Sequence, residues 1–252
     1  MKTCLLLLMT IAISNQSYSQ NEYIEYYNLV NQANRNWYEK NYTKSLKNFQ
    51  EAFTKVEYAH SINFAKAARS AAKLKDHKLT KIYILEAVKR GYPNNYIDRK
   101  LFKKFRKSTE YKELRTEIDE VQLKGDLSIN KVYQRKIDSL HYIDQKIIRG
   151  SNNVTDFNLD LELEYSDSSN FACLLNLINL YGFPSEQNIG FHGYGKSWVI
   201  IHHNARLPKN HNYHSTLLKY LKSGDYLPEN YCWVIDQSKE INKEVLVYYH
   251  WD

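Results

Sequence analysis

Read for apolar and polar positions, the chain from residue 20 to about 125 is helical throughout. Two sets of positions recur at a spacing of 35. Tyr42, Ser45, Phe49 and Ala52 align with His77, Thr80, Ile84 and Ala87, with Asn41 and Asp76 just ahead of each set. Each set reads as a large residue, a small one three on, a bulky apolar one, then Ala. In antiparallel helix pairs, small residues let backbones approach while the bulky one fills the groove between them. A period near 34 is the signature of helix-turn-helix solenoid units. Trp37 to Tyr42 then closes a first helix and makes the turn, and Ala68, Ala71, Ala72 and Leu74 lie in the first helix of the second unit. Gly91 and Pro93 stop that unit.

In the run Arg99–Lys107, six basic residues flank Leu101, Phe102 and Phe105, which share one helical face. This predicts a capping helix whose basic side is solvated. The alternative is contact with an anionic surface or polyanion through Lys103, Lys104 and Arg106. Tyr111 to Val121 continues as a helix, and Gly125-Asp126 reads as a linker. Ile129, Val132, Ile137, Leu140, Ile143 and Ile147 then recur at helical spacing, up to a stop at residues 150–153. Leu159, Leu161 and Leu163 alternate with acids, a pattern open to strand, helix or loop.

Phe171, Leu174, Leu175 and Ile178 form the stripe of another helix, closed by Gly182 and Pro184. Gly190 to Gly195 reads as a glycine-rich turn without the frame of a phosphate loop. Trp198 to Asn204, Tyr213 to Leu221 and a segment opened by Pro228 are helical. Val245 to Trp251 reads as a strand.

The first residues change where this architecture belongs. Met1-Lys2, a short apolar run from Cys4 to Ile13, and the small residues of Ser17-Tyr18-Ser19 have the order of a secretory signal cut after Ser19. The run is too short for a membrane span, and no later run reaches that length. The expectation is an exported protein, periplasmic or secreted. Of 252 residues, 43% are hydrophobic and 22 are Tyr, enough for a packed core. Residues 20–150 hold 27 Lys/Arg against 16 Asp/Glu, and residues 151–252 hold 7 against 12. That asymmetry implies two regions of different character. The domain reading is a signal peptide at 1–19, a helical repeat region at 20–125 and a helical domain at 126–252.

Chemistry is sparse. After cleavage Cys173 and Cys232 remain. Both lie in apolar helical patterns, where a free thiol is a small core residue, and export would also permit a disulfide between them. His203 with Asp144 and Asp236 has the composition of an acid–base site, with Arg149 to hold an anion. The same residues serve equally as helix-tying hydrogen-bond partners. His192, His202, His211, His214 and His250 also fall in the second half. His211 and His214, three apart, with Asp236 are the candidate zinc ligands, without a His-Glu-x-x-His frame. Ser197 and Ser215 lack a nucleophile elbow. No cofactor and no nucleic-acid partner is expected.

Two resemblances follow from these residues. Trp37 through Tyr42, Ser45-Leu46, Phe49 and Ala52, with the second set 35 on, resemble degenerate tetratricopeptide repeats, with His77 and Thr80 where Tyr and Ala are usual. That resemblance implies a protein or peptide partner in a groove carrying Trp37 and Tyr42. Residues 135–250 resemble the bacterial domain of unknown function 6624. The matching positions are Asp144-Gln145 with Arg149, Asp167 with Asn170, Tyr181-Gly182-Phe183-Pro184, Gly190, Trp198 through His203-Asn204-Ala205, and Asp236. Gln237 replaces the family's Arg, and Val247 to Trp251 replaces its terminal motif. The family implies a fold and a boundary, and no activity.

The sequence therefore predicts a mainly α protein: a helical-hairpin repeat, then a compact, mostly helical domain with a short C-terminal β element. The expected function is an envelope binding or scaffold module. The alternatives are a hydrolase-like enzyme using a His/Asp site and a peripheral protein bound to an anionic surface.

Overall fold

Capping and small-residue patterns set where the helices begin and end. The structure, a computed structural model, describes residues 22–151, 157–205 and 213–241. The signal segment, His211, His250 and the 245–251 strand call lie outside them. The protein is mainly α-helical, and no strand occurs among the described residues. No described helix is long and apolar enough to cross a membrane. The chain divides after Ser128 into two compact units: one of residues up to 128 with 222–224, the other of 129–221 and 225 onward.

In the first unit α1 covers residues 22–38. It is followed by α2 (Tyr42–Phe53), α3 (Ser61–Leu74), α4 (His77–Lys89) and α5 (Thr109–Ser128), and each of α2 to α4 packs on the next. Tyr26 ties α1 to α3: its hydroxyl accepts from the His60 N–H at 3.2 Å and from Asn63 Nδ2 at 2.7 Å. The turns ahead of α2 and α4 are built alike. Lys40 and Lys75, 35 apart, take the left-handed conformation at φ 62° and 61°. The next residue donates back across each turn, Asn41 to the Asn36 carbonyl at 2.8 Å and Asp76 to the Ala71 carbonyl at 3.0 Å. Asp76 caps α4 by accepting from the Leu79 N–H at 2.9 Å. Ser45 and Thr80, Phe49 and Ile84, and Ala52 and Ala87 are all buried.

Two expectations for this unit are corrected. Arg99–Lys107 is not an α-helix. It is a pair of 3₁₀ turns, Lys100–Phe102 and Phe105–Lys107, which turn Phe102 and Phe105 inward separately while the Arg106 guanidinium takes the Ile97 and Arg99 carbonyls. Both rings are essentially inaccessible. Gly125 is not a linker residue: it is buried inside α5, where the missing side chain lets the helix meet the Lys89 carbonyl of α4.

The second unit holds α6 (Lys131–Ser151), α7 (Phe157–Tyr181), α8 (Glu186–Ala205), α9 (His214–Lys222, whose last residue groups with the first unit) and α10 (Pro228–Ile241). α6, α7 and α8 pack against one another, and α10 packs on α8. α7 stops at Gly182 (φ 80°), as the Gly182–Pro184 pair predicts. The acid–Leu alternation at 159–163 belongs to α7, so helical continuity prevailed over the period of two. The glycine-rich segment is also helical. Gly190 (φ 75°) supplies a kink, and α8 runs on through Gly193 and Gly195. The buried face of α6 differs from the expected stripe. Tyr133, Ile137 and Asp144 are inside, whereas Val132 and Ile143 are about half exposed. An acid thus occupies a core position. Cys173 is exposed on α7 and Cys232 half-buried on α10, and both are free thiols.

Candidate functional site

Three helices of the second unit bring the polar residues together. α6 contributes Asp138, His141, Asp144 and Gln145; α7 contributes Ser166, Asp167 and Asn170; α8 contributes Lys196, His202 and His203. Asp144 is the centre. Its side chain is fully enclosed, while that of His203 keeps 14% of its surface. His203 Nδ1 lies 2.9 Å from Asp144 Oδ1, and Gln145 Nε2 donates to Oδ2 at 2.9 Å. Both carboxylate oxygens are therefore engaged, as a buried charge requires.

Burial alone would raise the Asp144 carboxyl. The hydrogen bonds from His203 and Gln145, with the positive field of His203 and His141, outweigh it and hold the group below the usual carboxylate value. A carboxylate is an acceptor only, so the short contact makes Nδ1 the protonated nitrogen of His203. Nε2 is then the ring nitrogen turned away from the carboxylate.

Asp167 completes the cluster. Single ligand-type atoms of Asp144, Asp167 and His203 all lie within 4.8 Å of one another. Two carboxylates and an imidazole are ligands of the kind a divalent cation takes. Beneath them, Asn170 Nδ2 donates to Ser166 Oγ at 3.4 Å, both buried. His141 stands one turn before Asp144. Burial lowers its pKa first, and Lys196 and His203 act the same way, against the opposing carboxylates of Asp144 and Asp138. Lys196 Nζ pairs with Asp138 Oδ1 at 2.7 Å. An aromatic wall adjoins His203: His202 stacks on Trp233 with ring centres 3.4 Å apart, and Trp198 lies 5.0 Å from His202.

The sequence candidates divide accordingly. Asp144 and His203 meet. Asp236 stands on α10, where burial and its charge raise the Cys232 thiol, and it is not in the three-residue cluster. Arg149 falls on α6, its side chain outside the described residues. His214 begins α9, also apart from that cluster. Gln145, Asp167 and Asn170 are positions of the family resemblance, whereas His141 carries no such signal. Asp144 also stands out as an acid in the register of Tyr133 and Ile137.

In the first unit, Trp37 and Tyr42 lie 5.0 Å apart by ring centre, with the Arg69 guanidinium 4.6 Å over Trp37. Arg106 is engaged internally, donating to the Ile97 carbonyl at 2.6 Å and the Arg99 carbonyl at 3.0 Å. Lys103 and Lys104 are exposed. No family model, curated protein or solved structure matches this chain.

Proposed function

We propose that the second unit is an acid–base site of the hydrolytic kind, with His203 as proton carrier and Asp144 as its positioning residue. The observation that carries this reading is the 2.9 Å bond between an enclosed, ionised Asp144 and a partly accessible His203. A carboxylate on Nδ1 fixes the ring's orientation and stabilises the imidazolium formed when Nε2 takes a proton from water or a hydroxyl. Asp167, close to both, is the second acid, available to orient the attacking group. The positions shared with domain of unknown function 6624 include Asp144, Gln145, Asp167, Asn170 and His203, and we read that family's common residues as this one site.

The test is a screen of purified protein against chromogenic esters, phosphomonoesters, phosphodiesters and amides. Turnover that disappears in His203→Gln and survives in His141→Gln supports the reading. No turnover in any class, or turnover indifferent to His203→Gln, refutes it.

A second reading concerns the first unit, which we take to be a pair of tetratricopeptide-like hairpins serving as a protein- or peptide-binding scaffold. The matched turns at Lys40 and Lys75 and the equivalent burial of Phe49 and Ile84 support it. We also take residues 1–19 to be an export signal, which places the protein in the cell envelope or outside. A mature chain whose terminal sequencing begins elsewhere than Gln20 refutes that cleavage.

A further inference from the structure

The first unit gathers a group of positive charges on one side of α3 and the 3₁₀ turns. Lys73 and Lys75, at the end of α3, and Lys100, Lys103 and Lys104, on the 3₁₀ turns, line one open cavity of about 510 Å³. Ala72 and Leu101 are its apolar side chains, and the lysine stems add further apolar surface. All five lysines are exposed, and among the described residues none has a carboxylate within ion-pair distance. Lys73 Nζ instead lies 5.5 Å over the Tyr42 ring. Among the unit's other lysines, Lys81 bridges Glu113 and Glu117 at 2.8 Å each, and Lys55 meets Glu25 at 3.1 Å.

The cavity's frame is held from several sides. Phe102 and Phe105 anchor the turns in the core, Arg106 holds them through the Ile97 and Arg99 carbonyls, and Lys75 is set by the left-handed end of α3. Five like charges around one concavity repel one another in the free protein, and an anion removes that repulsion.

We propose that this cavity binds a compact polyanion carrying clustered phosphate groups. Ammonium groups are point charges with several donors, suited to phosphate oxygens. An uncharged peptide would instead need an apolar pocket or a backbone edge to pair with, and Ala72 with Leu101 supplies neither. The volume falls in the range of small-molecule sites, about 300–1,000 Å³, so several charges must be concentrated in the ligand. A free oligophosphate and a phosphorylated lipid headgroup share this chemistry.

The experiment has two arms: calorimetric titration of the whole protein with tripolyphosphate, and co-sedimentation with phosphatidylcholine vesicles with and without cardiolipin. Binding in either arm is expected, weakening as salt rises, and the arm that binds identifies the source. The double variant Lys100→Glu/Lys103→Glu loses about a hundredfold in affinity, roughly tenfold per charge-assisted contact. The control Lys44→Glu/Lys47→Glu, with the same change in net charge on α2, stays within about twofold. Where circular dichroism shows the double variant unfolded, Lys103→Gln replaces it, with a loss of about tenfold. Binding in neither arm, equal losses in test and control variants, or tighter binding of an oligoglutamate peptide than of tripolyphosphate overturns the proposal.

Discussion

Gly125→Ala gives the sharpest test of the first unit's packing, because two rules pull in opposite directions. Helix propensity alone favours Ala over Gly by about 1 kcal/mol in a helix interior. The structure opposes this. A Cβ at position 125 would stand 1.9 Å from the Lys89 carbonyl oxygen and 2.8 Å from its carbon. Both atoms are backbone of the last turn of α4, so no side-chain rotation relieves the contact, and real Cβ atoms essentially never come within 3.0 Å. α4 and α5 must separate by about 1 Å, loosening contacts around the buried Val88 and Ile118. Overpacking of this kind costs about 3 kcal/mol at its upper range, which leaves a net loss of about 2 kcal/mol after the propensity gain. Urea unfolding followed by far-ultraviolet circular dichroism measures it as a lower midpoint at unchanged slope. A variant as stable as the parent, or more so, refutes the close approach of α4 and α5 at Gly125.

The remaining predictions concern burial and charge. Phe49→Ile, which installs the residue found 35 positions on, costs under about 1.5 kcal/mol, while Phe49→Ala costs about 3–5 kcal/mol; urea midpoints separate the two. Burial lowers the His60 pKa from 6.5 to about 4, and the Arg90 charge acts in the same direction. Its folded value is depressed, so stability is full above about pH 6.5 and falls as acid approaches pH 4, by about 3 kcal/mol. His60→Asn flattens that stretch of a stability–pH curve. Asp144→Asn removes a charge-assisted pair and costs about 2 kcal/mol at pH 7. Because the Asp144 carboxyl is held low, the parent loses this advantage as pH falls through the depressed folded value, and the two unfolding curves converge below about pH 4.

The helices that could be read from the sequence are those whose ends carry their own chemistry. Asp76 caps α4, Gly182 closes α7 and Pro228 opens α10, all local signals. Features decided by distant contacts were misread. Gly125 looks like a break until the Lys89 carbonyl across from it is known, and the 99–107 run looks like one amphipathic helix until the Arg106 side chain takes the Ile97 and Arg99 carbonyls. The candidate site was half legible. Asp144 and His203 stand out by residue type, but their 59-residue separation gives no hint of contact, and Asp236, with the same chemistry, is outside the three-residue cluster. Asp167 lies in the interior of α7, and the packing of α7 beside α6 and α8 makes it part of the cluster.

The account of the second unit depends on Asp144 holding the proton on one particular ring nitrogen of His203. Nitrogen-15 NMR of the His203 side chain at neutral pH reads this directly. The account predicts a protonated Nδ1 with a low-field proton, and loss of that low-field signal in Asp144→Asn. A bare Nδ1, or a His203 spectrum unchanged by Asp144→Asn, would contradict it.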